Sequence, residues 1–297
     1  MPTLSQHQSS ATTKMLLIGD SGSGKSGALA SLADAGFNLR VLDLDNGLDV
    51  LKNLLTDPKS SYKQDSASRV EYLTLTDKMR NINGRLVPAS ASVWSRTVGM
   101  LDNWKYDWYL DKSGQVQVIW DAKDKAAIPE GTKIETTNLG PVSSWTPQDV
   151  LVIDSFTMLA NGALAFILAM NGRLGQQPHQ SDWYQGQVLL EGLLQKLYDD
   201  GIRCSIIVNC HIVYIGEEGG MPRGYPNSLG KALSPKIGRY FNSALMTQST
   251  GSGANVKRKI FTSTRGLVEL KNTAPLKVLP EYPLETGLAD YFKAVRG

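Results

Sequence analysis

Short apolar runs alternate with amphipathic stretches along most of the chain. The runs consist mainly of Val, Ile, Leu and Met, a composition that is typical of strands buried on both faces of a parallel sheet. The stretches between them repeat apolar residues at helical spacing, which predicts helices with one buried face. Together they predict an α/β fold with a mainly parallel sheet and helices on both faces. The predicted strands are Lys14–Gly19, Leu39–Leu44, Arg69–Leu75, Val150–Ser155 and Ile202–Asn209, and the predicted helices are Lys25–Ala35, Asp49–Leu55, 155–170 and Asp182–Asp199.

The region from about 83 to 147 interrupts this alternation. A helix is predicted over Ala89–Trp104, and two strand-like runs, Val116–Trp120 and Lys133–Thr137, are separated by Gly and Pro. We interpret the region as an insertion that carries a β-hairpin. Its aromatic residues are expected to form a small core of their own, and a partner or stacking surface is the alternative. These residues are Trp108, Tyr109, Trp120 and Trp145.

The C-terminal part begins with a glycine- and proline-rich loop, 216–230, which is longer than a simple connection needs. At the other end, residues 1–13 are rich in Ser, Thr and Gln and lack an apolar segment. A disordered tail is therefore expected before one enlarged domain of residues 14–297. The further predicted elements are a short helix, Pro235–Phe241, strands at Ala244–Gln248, Lys259–Thr264 and Leu267–Leu270, and a final helix, Glu285–Val295.

Charge, cysteine content and the length of apolar stretches bear on nucleic-acid binding, redox environment and membrane insertion. The 31 Lys and Arg residues nearly balance the 28 Asp and Glu residues, so any contact with nucleic acid would have to be local. Cys204 and Cys210 lie on one face of a predicted strand, where buried thiols in a reducing cytoplasm are expected. The most apolar helical stretch, 158–170, is too short to cross a bilayer. No membrane partner is expected.

The most specific motif lies directly after the first predicted strand. The sequence Gly19-Asp20-Ser21-Gly22-Ser23-Gly24-Lys25-Ser26 matches G-x-x-x-x-G-K-[ST], and Gly27 continues into the first predicted helix. Glycines allow successive backbone N–H groups to point into one concavity, which can hold the oxygens of a triphosphate. Lys25 would then reach the β and γ phosphates, and the Ser26 hydroxyl would coordinate Mg²⁺. The alternative is a glycine-rich turn before an ordinary helix.

A second motif supports the first. The run Val150–Asp154 is an unbroken apolar strand that ends in an acid, the form of a Walker B element, and its carboxylate can hold the metal through water. Ser26 and Asp154 are therefore the predicted metal-site residues. His211 is predicted just past the end of the strand Ile202–Asn209, on the sheet edge that carries the phosphate loop. It is a candidate sensor of the γ-phosphate, and a structural histidine is the alternative.

The order of these parts resembles the RecA-type ATPase core, and in particular the phage nucleotide-binding proteins of the AAA-domain type. The resemblance covers roughly 14–277 apart from the insertion. It rests on the phosphate loop, the strand that ends in Asp154, the acidic segment Val41–Asp49, and the stretches Ser181–Tyr184 and Ile206–His211. It implies an ATPase that uses ATP and Mg²⁺ and assembles as a homo-oligomeric ring or filament. It also implies action on single-stranded DNA in phage recombination or replication, in the cytoplasm of an infected host.

The resemblance further implies roles for residues outside the two motifs. A carboxylate should orient the attacking water, and Asp45 is favoured over Asp77 because its strand should neighbour the phosphate loop. The segment Leu270–Lys277 is similar to one with which RecA-type subunits reach a neighbour's nucleotide, which makes Lys271 the candidate cation acting in trans. Arg239, Arg258 and Arg265 are alternatives.

Two loops, 171–181 and 216–231, correspond in order to the loops that line the central channel of RecA-type assemblies. Basic and aromatic side chains on them would contact phosphates and stack a base of single-stranded DNA. Glu217 and Glu218 oppose such contact, and a solvated loop is the alternative. The candidate DNA-binding residues are Arg173, Arg223, Tyr225 and Lys231.

A different class of function is compatible with the same motifs. The chain could be a nucleotide-dependent switch or assembly factor that binds a protein partner through the insertion at 83–147. Salt-dependent binding of single-stranded DNA would separate this function from the first. A small-molecule kinase is less favoured, because no arginine-rich lid is evident in the sequence.

Overall fold

The computed structural model describes residues 12–199, 201–216 and 220–296. Within them the strands, in chain order, are β1 (Lys14–Gly19), β2 (Asn38–Asp43), β3 (Val70–Thr74), β4 (Met79–Ile82), β5 (Arg85–Pro88), β6 (Trp104–Leu110), β7 (Val116–Ile119), β8 (Glu135–Gly140), β9 (Asp149–Asp154), β10 (Ser205–Ile215), β11 (Arg223–Pro226), β12 (Ser243–Thr250), β13 (Lys257–Phe261) and β14 (Glu281–Pro283). The helices are α1 (Lys25–Ala28), α2 (Ala30–Asp34), α3 (Asp49–Thr56), α4 (Val93–Asp102), α5 (Ala122–Ala126), α6 (Phe156–Met170), α7 (Gln180–Tyr198), α8 (Gly230–Leu233) and α9 (Leu284–Arg296).

A mostly parallel sheet forms the centre of the molecule, as the sequence predicts. Its parallel strands lie in the order β12-β1-β10-β9-β2-β3, and β13 and β14 extend the β12 edge in antiparallel pairing. Because β1 lies between β10 and β12, the loop that follows β1 opens at the middle of the carboxyl edge of the sheet. Open α/β sheets bind their ligands at this edge.

Helices cover both faces of the sheet, because successive side chains of a strand point to opposite faces. In β1, Leu16 and Ile18 belong to one apolar cluster, together with residues of α4, α6 and α7. Met15 and Leu17 belong to the other, with residues of α1, α2, α3 and α9. Each fully buried side chain of this size contributes about 1.5–3 kcal/mol. In the described part of the chain, no helix is both long and apolar enough to cross a membrane.

The insertion contains more sheet than the predicted hairpin. The predicted helix Ala89–Trp104 ends at Asp102, and the next residues form β6, which pairs with β7 on one side and β8 on the other. The cause is the alternation Trp104, Tyr106, Trp108, which has the period of a strand rather than that of a helix. A separate hairpin, β4–β5, precedes α4.

The expectation of a separate aromatic core in the insertion is wrong for Trp120 and Trp145. Trp145 is buried against Trp104, with ring centroids 5.4 Å apart in an edge arrangement, and both belong to the larger apolar cluster of the central sheet. Trp120 packs against the same cluster. Trp108 and Tyr109 instead line a cavity within the insertion. The insertion is thus packed onto the main core through its aromatic side chains.

Four further differences concern the termini and the C-terminal part. Thr13, expected in a disordered tail, is fully buried and its N–H donates to Oγ of Ser205 at 3.0 Å, whereas residues 1–11 lie outside the described residues. β10 runs on to Ile215 and pairs with β11 inside the predicted loop 216–230. Leu267–Leu270 forms isolated bridges rather than a strand, and β14 lacks a counterpart in the prediction.

Cys204 and Cys210 are buried free thiols as predicted, and burial raises the pKa of each to about 12.

One buried hydrogen bond fastens the last helix to the sheet. Tyr291 on α9 is fully buried, and its hydroxyl donates to Oγ of Ser243 on β12 at 2.7 Å. We expect Tyr291→Phe to lower the free energy of unfolding by about 1–2 kcal/mol, because it removes a buried hydrogen bond without opening a cavity. Urea denaturation followed by circular dichroism measures this loss. The exposed Tyr72 provides the control, since Tyr72→Phe should change little; equal effects of the two variants would contradict the assignment.

Candidate active site

The phosphate loop turns sharply between β1 and α1. β1 ends at Gly19 and α1 begins at Lys25, while Gly22 and Gly24 have φ angles of 74° and 103°, which residues with a side chain rarely adopt. At Gly24 a Cβ atom would also lie 2.7 Å from Cδ2 of Leu284. The backbone therefore requires glycine at both positions, and the turn has the geometry expected of a phosphate cradle.

Lys25 is buried against the loop that it follows. Its Nζ donates to the carbonyl oxygens of Gly19 and Asp20, both at 2.9 Å. Burial lowers the pKa of Lys25, and the negative charges of Asp154 and Asp45 oppose that effect. An ammonium group held in this way by carbonyl dipoles gains a stronger partner when a phosphate enters.

Ser26 and Asp154 meet beside Lys25, as the two motifs predict. The hydroxyl of Ser26 donates to Oδ2 of Asp154 at 2.6 Å, and burial raises the pKa of Asp154. These two oxygens are hard ligands of the kind that Mg²⁺ prefers. The described residues contain no cluster of three or more His, Cys, Asp or Glu side chains fit for a metal. Mg²⁺ does not need one, because it keeps several of its water ligands.

A row of polar side chains crosses the sheet at the level of Asp154. Thr74 on β3 lies next to Asp43 on β2, Asp43 next to Asp154 on β9, and Asp154 next to Asn209 on β10. Residues in register on neighbouring parallel strands share a face, so all four point towards the side of α1. Asp43 is 2% exposed, and burial, with a smaller contribution from Asp154, raises its pKa to about 6. Sequence reasoning placed Asp43 only within the acidic segment Val41–Asp49 and did not single out Asn209.

Asp45 lines the cavity that contains Lys25, and its carboxylate is held from two sides. Its Oδ1 accepts a hydrogen bond from the Ser155 hydroxyl at 2.9 Å, and its Oδ2 lies 3.3 Å from Nε2 of His211. His211 lies inside β10 rather than past its end, in register with Gly19 of the phosphate loop. The structure therefore brings together Asp45, His211 and the phosphate loop.

Asp77 and Lys271 lie apart from this group. Oδ1 of Asp77 accepts hydrogen bonds from the N–H and the hydroxyl of Ser92 at 2.7 and 3.0 Å, just before α4. The backbone of Lys271 pairs with Ala244, near the amino end of β12 and thus away from the loop at its carboxyl side. Neither residue lines the cavity that contains Lys25.

The candidate DNA-binding residues do not form one surface patch of free cations. Arg173 pairs with the fully buried carboxylate of Asp182, which also accepts the N–H of His179 and so organises the start of α7. Arg223 is exposed but pairs with Glu269 at 3.0 Å. The remaining candidates are Lys231, which is exposed, and Tyr225, which is half-buried; Glu217 and Glu218 lie outside the described residues.

The cavity around Lys25 measures about 640 Å³ and includes residues that sequence reasoning missed. Arg258 was named only as a substitute cation acting in trans, yet its Nε–H donates to the carbonyl oxygen of Gly22 in the same chain at 3.2 Å. Tyr62 and Leu284 belong to no motif, so no local pattern could have indicated them. The loop residues that line this cavity are Ser21, Gly22, Gly24, Lys25, Ser26 and Gly27. A smaller cavity is lined by Gly19 and Asp20. The hydroxyl of Ser23 forms a hydrogen bond with the hydroxyl of Thr247.

Comparisons with known proteins give distant structural similarities. No protein-family model matches the chain, and no curated protein sequence is significantly similar to it. Among solved structures, the chain is similar to the RadB recombinase, with 13% identity over 93% of this chain and 89% of that chain and a TM-score of 0.42. It is also similar to the KaiC-like protein PH0186 from Pyrococcus horikoshii OT3, with 12% identity, 91% and 84% coverage and a TM-score of 0.38. A third similar structure is the flagellar accessory protein FlaH from Methanocaldococcus jannaschii, with 11% identity over 93% of this chain and 87% of that chain and a TM-score of 0.38.

The raised pKa of Asp43 makes the folded state less stable as the pH rises. A carboxyl with a pKa of about 6 when folded and about 4 when unfolded binds its proton more tightly in the folded state. Ionisation of Asp43 thus opposes folding above about pH 6, and the penalty disappears below about pH 4. Without nucleotide, Asp43→Asn should raise the urea midpoint at pH 7.5 and have little effect at pH 4. Asp65→Asn, at an exposed position, is the control; a gain that is larger at pH 4 than at pH 7.5 would contradict the argument.

Proposed function

We propose that the chain is a RecA-like, Mg²⁺-dependent ATPase. The observation that carries the proposal is the contact between the Ser26 hydroxyl and Asp154, 2.6 Å long, beside a buried Lys25 in a glycine loop. The two motifs are 128 residues apart in the chain, and the fold brings them into one cavity. Asp45 lines that cavity as well, so a carboxylate that could accept a proton from water lies near the groups that would bind phosphate.

Each group has a defined task in the proposed hydrolysis. The loop N–H groups and Lys25 bind the phosphates and offset the negative charge that develops on them. Ser26 and Asp154 would hold Mg²⁺, which would supply further positive charge to the phosphate oxygens. Asp45 accepts a hydrogen bond from the attacking water and takes its proton as the new bond to the γ-phosphorus forms. The bond to the β-phosphate oxygen breaks at the same time, and ADP and inorganic phosphate leave.

Ser155 and His211 keep Asp45 ready for this task. The Ser155 hydroxyl holds one carboxylate oxygen at 2.9 Å and the His211 ring lies 3.3 Å from the other. A carboxylate fixed from two sides loses little conformational freedom when it meets water. His211 can in addition detect the γ-phosphate, because it lies in register with Gly19.

We further propose that ATP hydrolysis drives the action of a homo-oligomer on single-stranded DNA, in recombination or replication in the cytoplasm of a phage-infected cell. The β10–β11 hairpin supports this use. Beyond His211, β10 pairs with β11 and, within the part of the chain that the structure describes, with no other strand. The hairpin therefore extends from the site that would bind ATP, and it carries Tyr225 and Arg223. Lys231 follows it as an exposed cation. Lys271 of a neighbouring copy remains the proposed cation acting in trans.

The second candidate function is a nucleotide-dependent switch that binds a protein partner. It is favoured by the cavity of about 780 Å³ in the insertion, which is lined by Trp108 and Tyr109 together with Pro129. Leu110 and Val116 are large apolar residues that are more than half exposed on the same small sheet. Aromatic side chains and exposed apolar residues of this kind are typical of protein interfaces.

The choice between the two candidate carboxylates can be tested directly. We expect Asp45→Asn to reduce ATP hydrolysis at least about 100-fold while ATP binding stays within a few-fold, because only the proton acceptor is lost. Asp77→Asn is the matched control and should retain nearly full activity. Release of inorganic phosphate and calorimetric binding of Mg-ATP measure the two quantities. The reverse result, an inactive Asp77→Asn and an active Asp45→Asn, would reassign the carboxylate.

The DNA-dependent use has its own test. ATP hydrolysis is measured with and without single-stranded DNA at several salt concentrations, and Lys25→Ala serves as the blank. We expect DNA to stimulate hydrolysis, the stimulation to fall as salt rises, and Lys25→Ala to hydrolyse no ATP in either case. Hydrolysis that ignores DNA would reject this use, keep the ATPase and favour the partner-binding switch.

A further inference from the structure

The cavity that contains Lys25 continues past the phosphate loop. One end holds the charged groups already described. The other end is mainly apolar and is built by α3, by the segment that follows α3, and by the start of α9. Ligand sites commonly combine an apolar wall with a few fixed polar groups in this way. The residues at this apolar end are Val50, Leu54, Tyr62, Leu284 and Glu285.

The orientation of the phosphate loop decides which part of a nucleotide reaches the apolar end. Lys25 binds the β and γ phosphates, and the first turn of the following helix binds the phosphate next to the nucleoside. Gly27 lies in that turn, and a Cβ atom there would be 3.4 Å from both Leu54 Cδ1 and Val50 Cγ1. Asp45 and Asp154 lie at the γ-phosphate end. The nucleoside must therefore point towards Val50 and Leu54.

Tyr62 closes this end of the cavity, and its ring is held in place. Its hydroxyl donates to the backbone carbonyl oxygen of Glu285 at 2.7 Å. The next residue, Lys63, donates its N–H to Oδ1 of Asp34 on α2 at 2.7 Å. The segment after α3 is thus tied to both α2 and α9. A flat ring held in a cavity that aliphatic side chains also line can contact the face of a nucleobase.

We propose that this end of the cavity is the base-binding subsite, in which the ring of Tyr62 and the side chains of Val50 and Leu284 contact the faces of the base. The inference rests on the proposed function, because it assigns the remaining part of the same nucleotide. It identifies the ligand as a nucleoside triphosphate rather than an inorganic polyphosphate. Contacts to the faces of a base are also tolerant of its identity, because every base offers such a face.

The test compares two ligands that differ in the nucleoside. Calorimetry gives the Kd of Mg-ATP and of Mg-tripolyphosphate for the full chain and its variants. Tyr62→Ala should weaken Mg-ATP about tenfold, in line with the loss of one base–aromatic contact, and leave Mg-tripolyphosphate within twofold. Tyr62→Phe should retain most of the affinity, because the ring remains. Tyr184→Ala, at an exposed tyrosine on α7 outside the cavity, is the matched control.

Val50→Ala is a second variant of the subsite, in case Tyr62→Ala loses affinity because it folds poorly. Val50 is 56% exposed, so its truncation costs little stability, and we expect a several-fold loss of Mg-ATP affinity with no loss for Mg-tripolyphosphate. Equal losses for both ligands, or no loss of Mg-ATP in either variant, would overturn the base-binding subsite and leave the ATPase intact. If the wild-type chain binds neither ligand, or if Lys25→Ala binds Mg-tripolyphosphate as well as the wild type, the proposed function fails and the subsite fails with it.

Discussion

The cost of burying charge at the carboxyl edge of an apolar sheet is the constraint on which the site depends. Lys25, Asp154 and Asp43 are each less than 10% exposed, although buried charges are stable only with partners. Lys25 is compensated by carbonyl dipoles and by the carboxylates, and Asp154 by the Ser26 hydroxyl. Burial nevertheless lowers the pKa of Lys25 and raises those of Asp43 and Asp154, so it opposes the charged form of each group. In the proposed function, a phosphate chain and a divalent cation would supply the opposite charges that this arrangement lacks.

Sequence reasoning predicted the parts of the fold and the site that are local in the chain. The phosphate loop and the apolar strand ending in Asp154 are continuous motifs, and their meeting follows from the geometry of a parallel sheet. The strand order, however, is a tertiary property. The expectation that the strand before Asp45 neighbours the phosphate loop is wrong, because β10 and β9 lie between β1 and β2, although Asp45 still lines the cavity that contains Lys25. It also gave Arg173 a role in DNA contact, whereas the pairing of Arg173 with Asp182 depends on how the chain turns before α7. Tyr62 and Leu284 reach the cavity through packing between distant segments, which leaves no periodic or motif signal to detect.

The insertion shows a related limit of pattern reasoning. A run of aromatic residues in a long connection was expected to support itself, yet Trp104 and Trp145 pack edge to face within the main apolar cluster. The small sheet β7-β6-β8 is consequently anchored at one end of β6 and open at the other, where Leu110 is exposed. This division agrees with the second candidate function, since an anchored sheet can present a fixed surface to a protein partner without altering the phosphate loop.

The packing of Gly24 on Leu284 has a consequence for how the protein is made. The phosphate loop is synthesised long before α9, yet Leu284 of α9 packs against the loop and Arg258 holds Gly22. These contacts span nearly the whole chain, and contacts of such long sequence separation form late in folding. A nascent chain therefore carries the complete motif long before it carries a complete site. Shortened products of translation that stop before α9 would keep the sequence of a nucleotide-binding protein without its cavity.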